Sequence, residues 1–165
     1  MHIVYLLLGS NKGHKKKYLL LAQYFLTLKV GRILKKSAIY KTASWGNDKQ
    51  ADYLNQALII ETYLSPFQLL SSLKKIEKLL GRTNKFNNAA RTIDIDILFY
   101  DTAIITAKNL EIPHPRLHLR NFTLQPLLEL NKSYSHPIYN KSIEELAKVC
   151  DDTLKVSIFE PKHKV

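Results

Sequence analysis

"RTIDIDILFYD", Arg91 to Asp101, sets two carboxylates at alternate positions of a run that otherwise reads as a β-strand. Strand side chains alternate between faces. Asp94 and Asp96 therefore share one face, and Ile93, Ile95, Ile97 and Phe99 are expected on the other, in a core. Two ionised carboxylates about 6.6 Å apart along a strand repel, and each raises the other's pKa unless a cation intervenes. Mg²⁺ suits that place, because it takes one or two carboxylates and completes its shell with water and substrate phosphates. A solvent-facing strand whose aspartates merely discourage edge pairing fits the same spacing. Asp-x-Asp alone does not choose between the two.

Working outward, Ile3 to Leu8 reads as a buried strand, "GSNKG" as a turn, and Lys15 to Lys29 as a helix with Tyr18, Leu21, Ala22, Phe25 and Leu26 on one side. Ile33 to Thr42 and Tyr53 to Leu64 follow as strands, separated by the polar loop "ASWGNDKQAD". "SPFQLLSSLKKIEKLLGR" opens with Ser65 as N-cap, Pro66 at the first helical position and Gln68 completing a capping box, and Gly81 is the matching stop. A second polar loop leads into the aspartate strand. The order is β-α-β-β-α-β, the split βαβ arrangement of ferredoxin-like folds, and the fold class is α+β. Farther on, Ser142 and Glu145 mark the start of a short helix.

The 165 residues suit one domain with a real core. Twenty-five Lys and Arg against fourteen Asp and Glu give a net charge of +11, which favours anionic partners without choosing among phosphates, nucleic acid and membrane surfaces. One cysteine, Cys150, leaves no intramolecular disulfide framework and no cysteine-based zinc site; it is expected as a small buried residue near a helix end. "IVYLLLG" reads as a strand, not a signal peptide, and "YLLLAQYFLTL" is too short to span a bilayer. A soluble cytoplasmic protein is expected.

Arg82, Lys85, Arg91, His114, Arg116 and Arg120 lie in the segments flanking the aspartate strand, where they could converge on a phosphate chain. Paired carboxylates for metal and loop cations describe phosphoryl-transfer machinery, in which catalysis is largely positioning and charge neutralisation. Glu77 falls within the apolar stripe Leu69, Leu70, Leu73, Ile76 and Leu80, so its carboxylate needs a partner: a wet helix rim, an arginine to orient, or a nucleotide. His114 sits between two prolines, with little local freedom. Neither a Walker A motif nor G-x-G-x-x-G is present, so side chains and metal would have to hold a nucleotide.

Six ordered blocks, "YLLLGSN", "SAIYKTASWG", "QADYLNQALIIET", "LSPFQLLSSLKKIEKLLGR", "RTIDIDILFYD" and "IPHPRLHLRNFTLQPL", resemble the hydroxymethyl-dihydropterin pyrophosphokinase family of folate biosynthesis. The resemblance implies a single pyrophosphokinase domain over residues 1–165, a ferredoxin-like α/β sandwich with extra C-terminal strands and helices. It implies an ATP-dependent transfer of pyrophosphate to the hydroxymethyl group of the reduced pterin, releasing AMP. Asp94 and Asp96 match the carboxylates that hold two Mg²⁺ ions. Arg82 and Arg91 would clamp the transferring phosphates, with His114 and Arg120 beside them. Leu70, Lys74, Glu77, Lys85 and Ile97 fall around ATP, and Thr42, Ala43, Trp45, Tyr53, Asn55 and Phe122 around the pterin. A monomer is the family expectation, with neither nucleic acid nor membrane as partner.

The chain departs from the family pattern at Ala43, where proline is usual, at Trp45, and across the Arg82–Arg91 loop, where "TNKFNNAA" offers only Lys85 and Phe86 in place of further arginines and a tryptophan. That implies slower or weaker turnover, and it leaves a catalytically impaired relative as an alternative. A basic ferredoxin-like domain presenting its sheet to nucleic acid is a second one, though paired aspartates on a central strand would repel phosphate.

Overall fold

A computed structural model describes residues 1–43, 51–83 and 90–160. Its strands are β1 (His2–Ser10), β2 (Gly31–Lys36), β3 (Tyr40–Thr42), β4 (Tyr53–Thr62), β5 (Asp94–Tyr100), β6 (Ile105–Ala107), β7 (Leu110–Ile112) and β8 (Val156–Ile158). Its helices are α1 (Lys15–Lys29), α2 (Pro66–Leu79), α3 (Asn121–Asn131) and α4 (Ile143–Lys148). The main sheet runs β5-β1-β4-β3-β8, with β2 also on β4, and every pairing is antiparallel. β6 and β7 form a separate hairpin.

The expected β-α-β-β-α-β order holds if β2 and β3 count as one interrupted strand. The single strand expected over Ile33–Thr42 is in fact two. A register shift between Ile33 and Lys35 puts the chain out of step with β4, and Ser37 bridges the gap. Its N–H donates to the Ala57 carbonyl (3.0 Å), and its hydroxyl accepts from the Ala57 N–H (3.0 Å). β1 runs on to Ser10, so Gly9 and Ser10 lie in the strand and not in the expected turn.

Both faces of the sheet are covered, which is why β1 and β4 read as near-continuous apolar runs. On one face, Leu19, Ala22 and Leu26 of α1 and Leu69, Leu73 and Ile76 of α2 pack over Val4, Leu6, Leu8, Leu58, Ile60, Ile95 and Ile97. On the other, Leu124, Leu127 and Leu130 of α3 and Ile143 and Leu146 of α4 pack over Tyr5, Leu7, Ala57, Ile59, Leu98 and Phe99. Phe99 therefore does not share a face with Ile93, Ile95 and Ile97, contrary to simple alternation. A register shift pairs Leu6 with Ile97 but Tyr5 with Phe99, so one extra residue, Leu98, reverses the faces beyond it. Among the described residues no helix is long and apolar enough to cross a membrane.

The local signals behave as their chemistry dictates. Ser65 and Gln68 form a reciprocal capping box at α2, and Ser142 and Glu145 form another at α4. Cys150, just past α4, is half-buried where full burial was expected. At the other end of β2, a Cβ on Gly31 would stand 2.0 Å from the Glu61 carbonyl oxygen, so only glycine lets β2 approach β4 there. Gly31→Ala is expected to cost about 2 kcal/mol or more of stability through overpacking against backbone. Urea unfolding measures it; an unchanged midpoint would mean that the two strands separate freely.

Candidate active site

Three strands build the site. Gly9 of β1 lies opposite Asn55 of β4 and opposite Asp94 of β5, so Asn55, Gly9 and Asp94 form one row across the sheet. One step along, Ala57, Leu7 and Asp96 form the next row on the same face. Thr42 lies opposite Tyr53, two residues before Asn55, and so joins that face as well. The two carboxylates and the polar groups of β3 and β4 thus share the face that α3 and α4 partly cover. Gly9 leaves a gap between them: a Cβ there would stand 3.0 Å from the Asn55 Oδ1.

Asp94 is the hub. Arg82 Nη1 lies 2.5 Å from its Oδ1 and Arg91 Nη1 lies 2.5 Å from its Oδ2. These arginines stand at the two ends of residues 83–90, so one carboxylate draws together the exit of α2 and the entry to β5. Glu77, which is 2% exposed, has the partner its position demands. It pairs with Arg82, accepts the Ile95 N–H at 2.8 Å, and meets Lys74 Nζ at 3.4 Å. Asn11, also buried, fixes Arg91 from below: its Oδ1 accepts the Arg91 N–H at 2.7 Å and its own N–H donates to the Arg91 carbonyl at 3.1 Å.

The electrostatics of the two aspartates diverge. Burial opposes ionisation of Asp94, but Arg82 and Arg91 outweigh it and hold its pKa below the usual carboxylate range. Asp96 has no such pair of arginines among the described residues. Burial, then the charges of Asp94 and Glu77, push it up to about 7 against the pull of Arg120 and Lys74. Burial raises Glu77 as well, against the Ile95 hydrogen bond. His114 is lowered to about 4 by burial and by the neighbouring Arg120 and Arg116, so its ring is neutral at pH 7. Its Nδ1 accepts the Arg116 backbone N–H (3.2 Å), and the His114 backbone N–H donates to the Leu98 carbonyl (3.0 Å), docking this turn on β5. Arg120 is pulled down by burial while Asp96, Asp94 and Asp152 act the other way.

Asn55 Nδ2 donates to Thr42 Oγ1 at 3.0 Å, and both residues are buried. Half-buried Tyr53 links them to the charged cluster: burial raises its pKa, and Arg91, Asp94 and Arg82 all act on it. Ala43 is exposed at the end of β3. On the far side, the Arg120 guanidinium stands 5.6 Å over the Phe122 ring. A cleft of about 760 Å³ runs along α2, lined by Phe67, Leu70, Lys74, Glu77, Arg82 and Asn109 among others. Ile97, 5% exposed and opposite Leu6, lies in the apolar cluster on which Leu70 of the cleft wall packs. Trp45 and Lys85 lie outside the described residues.

The structure thus draws together Arg82, Arg91, Asp94, Asp96, Glu77, Lys74, His114 and Arg120 from the residues singled out in the sequence. Gly9 and Asn11 were not among them. The available signal was a glycine within an apolar run, which marks close approach, followed by an asparagine.

A family profile described as 7,8-dihydro-6-hydroxymethylpterin-pyrophosphokinase (HPPK) matches residues 5–132. A 2-amino-4-hydroxy-6-hydroxymethyldihydropteridine pyrophosphokinase of Aquifex aeolicus is 41% identical over 159 residues, covering 94% of this chain and 95% of that protein. The protein of the same name from Bacillus subtilis is 41% identical over 130 residues, 78% of each chain. In fold, the chain is similar to a crystal structure of Plasmodium falciparum HPPK-DHPS wild type with pteroate, with a TM-score of 0.74 at 19% identity. That match covers 89% of this chain and 42% of that longer one.

The raised pKa of Asp96 has a stability consequence. A carboxyl that ionises near 3.9 in the unfolded chain and near 7 in the folded one adds stability below pH 4, which is lost as pH rises toward 7. In chelator, Asp96→Asn should therefore raise the melting temperature by roughly 5 °C at pH 8 and by less at pH 5. Thermal scans of both proteins at the two pH values check this. Equal shifts would show that Asp96 ionises normally.

Proposed function

The chain belongs to the 7,8-dihydro-6-hydroxymethylpterin-pyrophosphokinase family, and from that premise we propose how its residues divide one reaction. The enzyme moves the β,γ-pyrophosphoryl group of ATP onto the hydroxymethyl oxygen of 6-hydroxymethyl-7,8-dihydropterin in folate synthesis. The hydroxymethyl oxygen bonds to the β-phosphorus, the bond from that phosphorus to the oxygen bridging to the α-phosphorus breaks, and AMP leaves. It acts as a monomeric cytoplasmic enzyme, a single domain over residues 1–165.

The observation that carries this reading is the row Asn55–Gly9–Asp94. It sets an amide able to read a ring edge beside a carboxylate clamped by two arginines, with a gap between them. Asn55 spends one N–H on Thr42 and keeps an acceptor and a second donor for the amide edge of the pterin. Tyr53 and Phe122 offer aromatic faces to a flat ring. Arg82 and Arg91 give bidentate guanidiniums for the phosphates being transferred, and His114, neutral at pH 7, can donate one further hydrogen bond. Arg120 adds positive charge, while Leu70, Lys74 and Glu77 line the cleft suited to the nucleoside end. Lys85 and Trp45 complete the proposed ATP and pterin sets, and Ala43 contributes backbone.

The residues fit Mg²⁺. Asp94 and Asp96 are hard oxygen donors on one face, and burial and then the charges of Asp94 and Glu77 drive Asp96 toward protonation, a burden that a bound cation would relieve. Mg²⁺ takes one or two carboxylates and completes its shell with water and substrate phosphate, so this pair suits it. Two Mg²⁺ ions held by Asp94 and Asp96 would supply Lewis-acid neutralisation of the triphosphate and of departing AMP.

A nucleic-acid-binding sheet is not supported, because α3 and α4 cover the aromatic residues Tyr5 and Phe99. Incubation with ATP, Mg²⁺ and the reduced hydroxymethyl pterin should yield AMP and no ADP, and Asp96→Ala should lower that rate at least about 100-fold with the fold retained. ADP as product would remove the proposed reaction. Near-wild-type turnover of the variant would remove Asp96 from it.

A further inference from the structure

The segment after α4 lies beyond the matched family profile, which ends at residue 132, yet it touches both sides of the pterin site. We propose that residues 151–159 form a strap that sets the width of this site, with Asp152 as a positioning residue for Arg120 and Phe122.

At one end the strap holds α3. That helix has Arg120 at its N-cap with no side-chain cap, and no acidic residue in its first turn. Asp152 supplies what is missing from 31 residues away: its Oδ2 accepts the Asn121 N–H at 2.8 Å. Its Oδ1 accepts the Leu154 N–H at 3.0 Å, so a single carboxylate ties the helix to the strap. Its charge also faces the start of α3, where an anion is favoured, and acts on Arg120. Asn121 lies between the two residues assigned to substrate, Arg120 and Phe122, and the guanidinium of one stands over the ring of the other.

At the other end the strap becomes β8. Val156 lies opposite Thr42, and Ile158 opposite Tyr40. The Phe159 N–H donates to the Ile39 carbonyl at 2.7 Å, and its side chain packs on the core beneath α1 and α2. β3 has three residues and would otherwise be an edge strand; here β4 flanks it on one side and β8 on the other. Thr42, whose hydroxyl accepts from Asn55, is thereby held from outside. Three residues, Thr153 to Lys155, lie between Asp152 and Val156, four steps with a reach of about 13 Å at full extension. The strap accordingly fixes how far the Phe122 side stands from the Thr42–Asn55 side.

This inference rests on the pterin reading above, and the test separates the two. A wild-type protein that forms no AMP would remove that reading. In an active enzyme, Asp152→Ala should raise the pterin KM about fivefold with kcat changed less, the loss expected from an absent helix cap. Asp152→Asn keeps only one of the two accepting oxygens, so it should rescue the KM in part, to between the values of wild type and of the alanine variant. Asp151→Asn, a charge loss at the exposed neighbouring position, should change nothing. In wild-type protein, the hydroxymethyl pterin with Mg²⁺ and α,β-methylene ATP should slow hydrogen exchange at residues 121–124 and 154–158. A wild-type pterin KM in Asp152→Ala, whatever its melting temperature, would overturn the role, as would no rescue by asparagine. If the alanine variant fails to fold, unchanged exchange in those segments would overturn it.

Discussion

The site depends on one carboxylate shared between two guanidiniums. Asp94 joins Arg82, which leaves α2, to Arg91, which enters β5, so the segment between them begins and ends on the same anion. The supporting contacts converge there. Glu77 grips Arg82 and also occupies the Ile95 N–H that the edge strand would leave open. Asn11 holds the backbone of Arg91 through two hydrogen bonds. One helix-borne carboxylate, Glu77, one strand carboxylate, Asp94, and the asparagine after β1 therefore hold the two arginines.

The neighbouring aspartate is placed differently. Asp94 has its positive charge within the protein, whereas Asp96 sits beside Asp94 and Glu77 and is pushed up to about 7. Two titratable groups two residues apart on one strand are thus driven in opposite directions, a pattern characteristic of functional sites. At the second carboxylate, burial and two neighbouring carboxylates outweigh Arg120 and Lys74 among the described residues, which fits a site completed by a cation and a phosphate chain. The overall charge of +11 points the same way for the anionic half of that pair.

Much of this was legible where the governing interaction is local. The bounds of α1, the capping boxes at Ser65 and Ser142, and the shared face of Asp94 and Asp96 follow from spacing and short-range hydrogen bonding. Features set by one extra residue in a strand were not. Periodicity placed Phe99 with Ile97 and ran Ile33 to Thr42 as one strand, because a register shift depends on the partner strand and leaves no mark in composition. Ile97, which the family resemblance sets around ATP, lies opposite Leu6 in the same apolar cluster as Leu70. Asn11 and Asp152 act across 80 and 31 residues, through backbone atoms whose placement only the fold decides. Gly9 could have been suspected from its place in the apolar run, but its use as the gap beside Asn55 needs the register of three strands.

The most direct measurement of the central idea is calorimetric titration with α,β-methylene ATP, once with Mg²⁺ and once with chelator. Carboxylates that wait for a cation and arginines that face phosphate should give saturable binding with Mg²⁺ and an affinity at least tenfold weaker without it. Equal affinity in the two titrations would contradict the account, because Asp94 and Asp96 would then serve the fold and not the nucleotide.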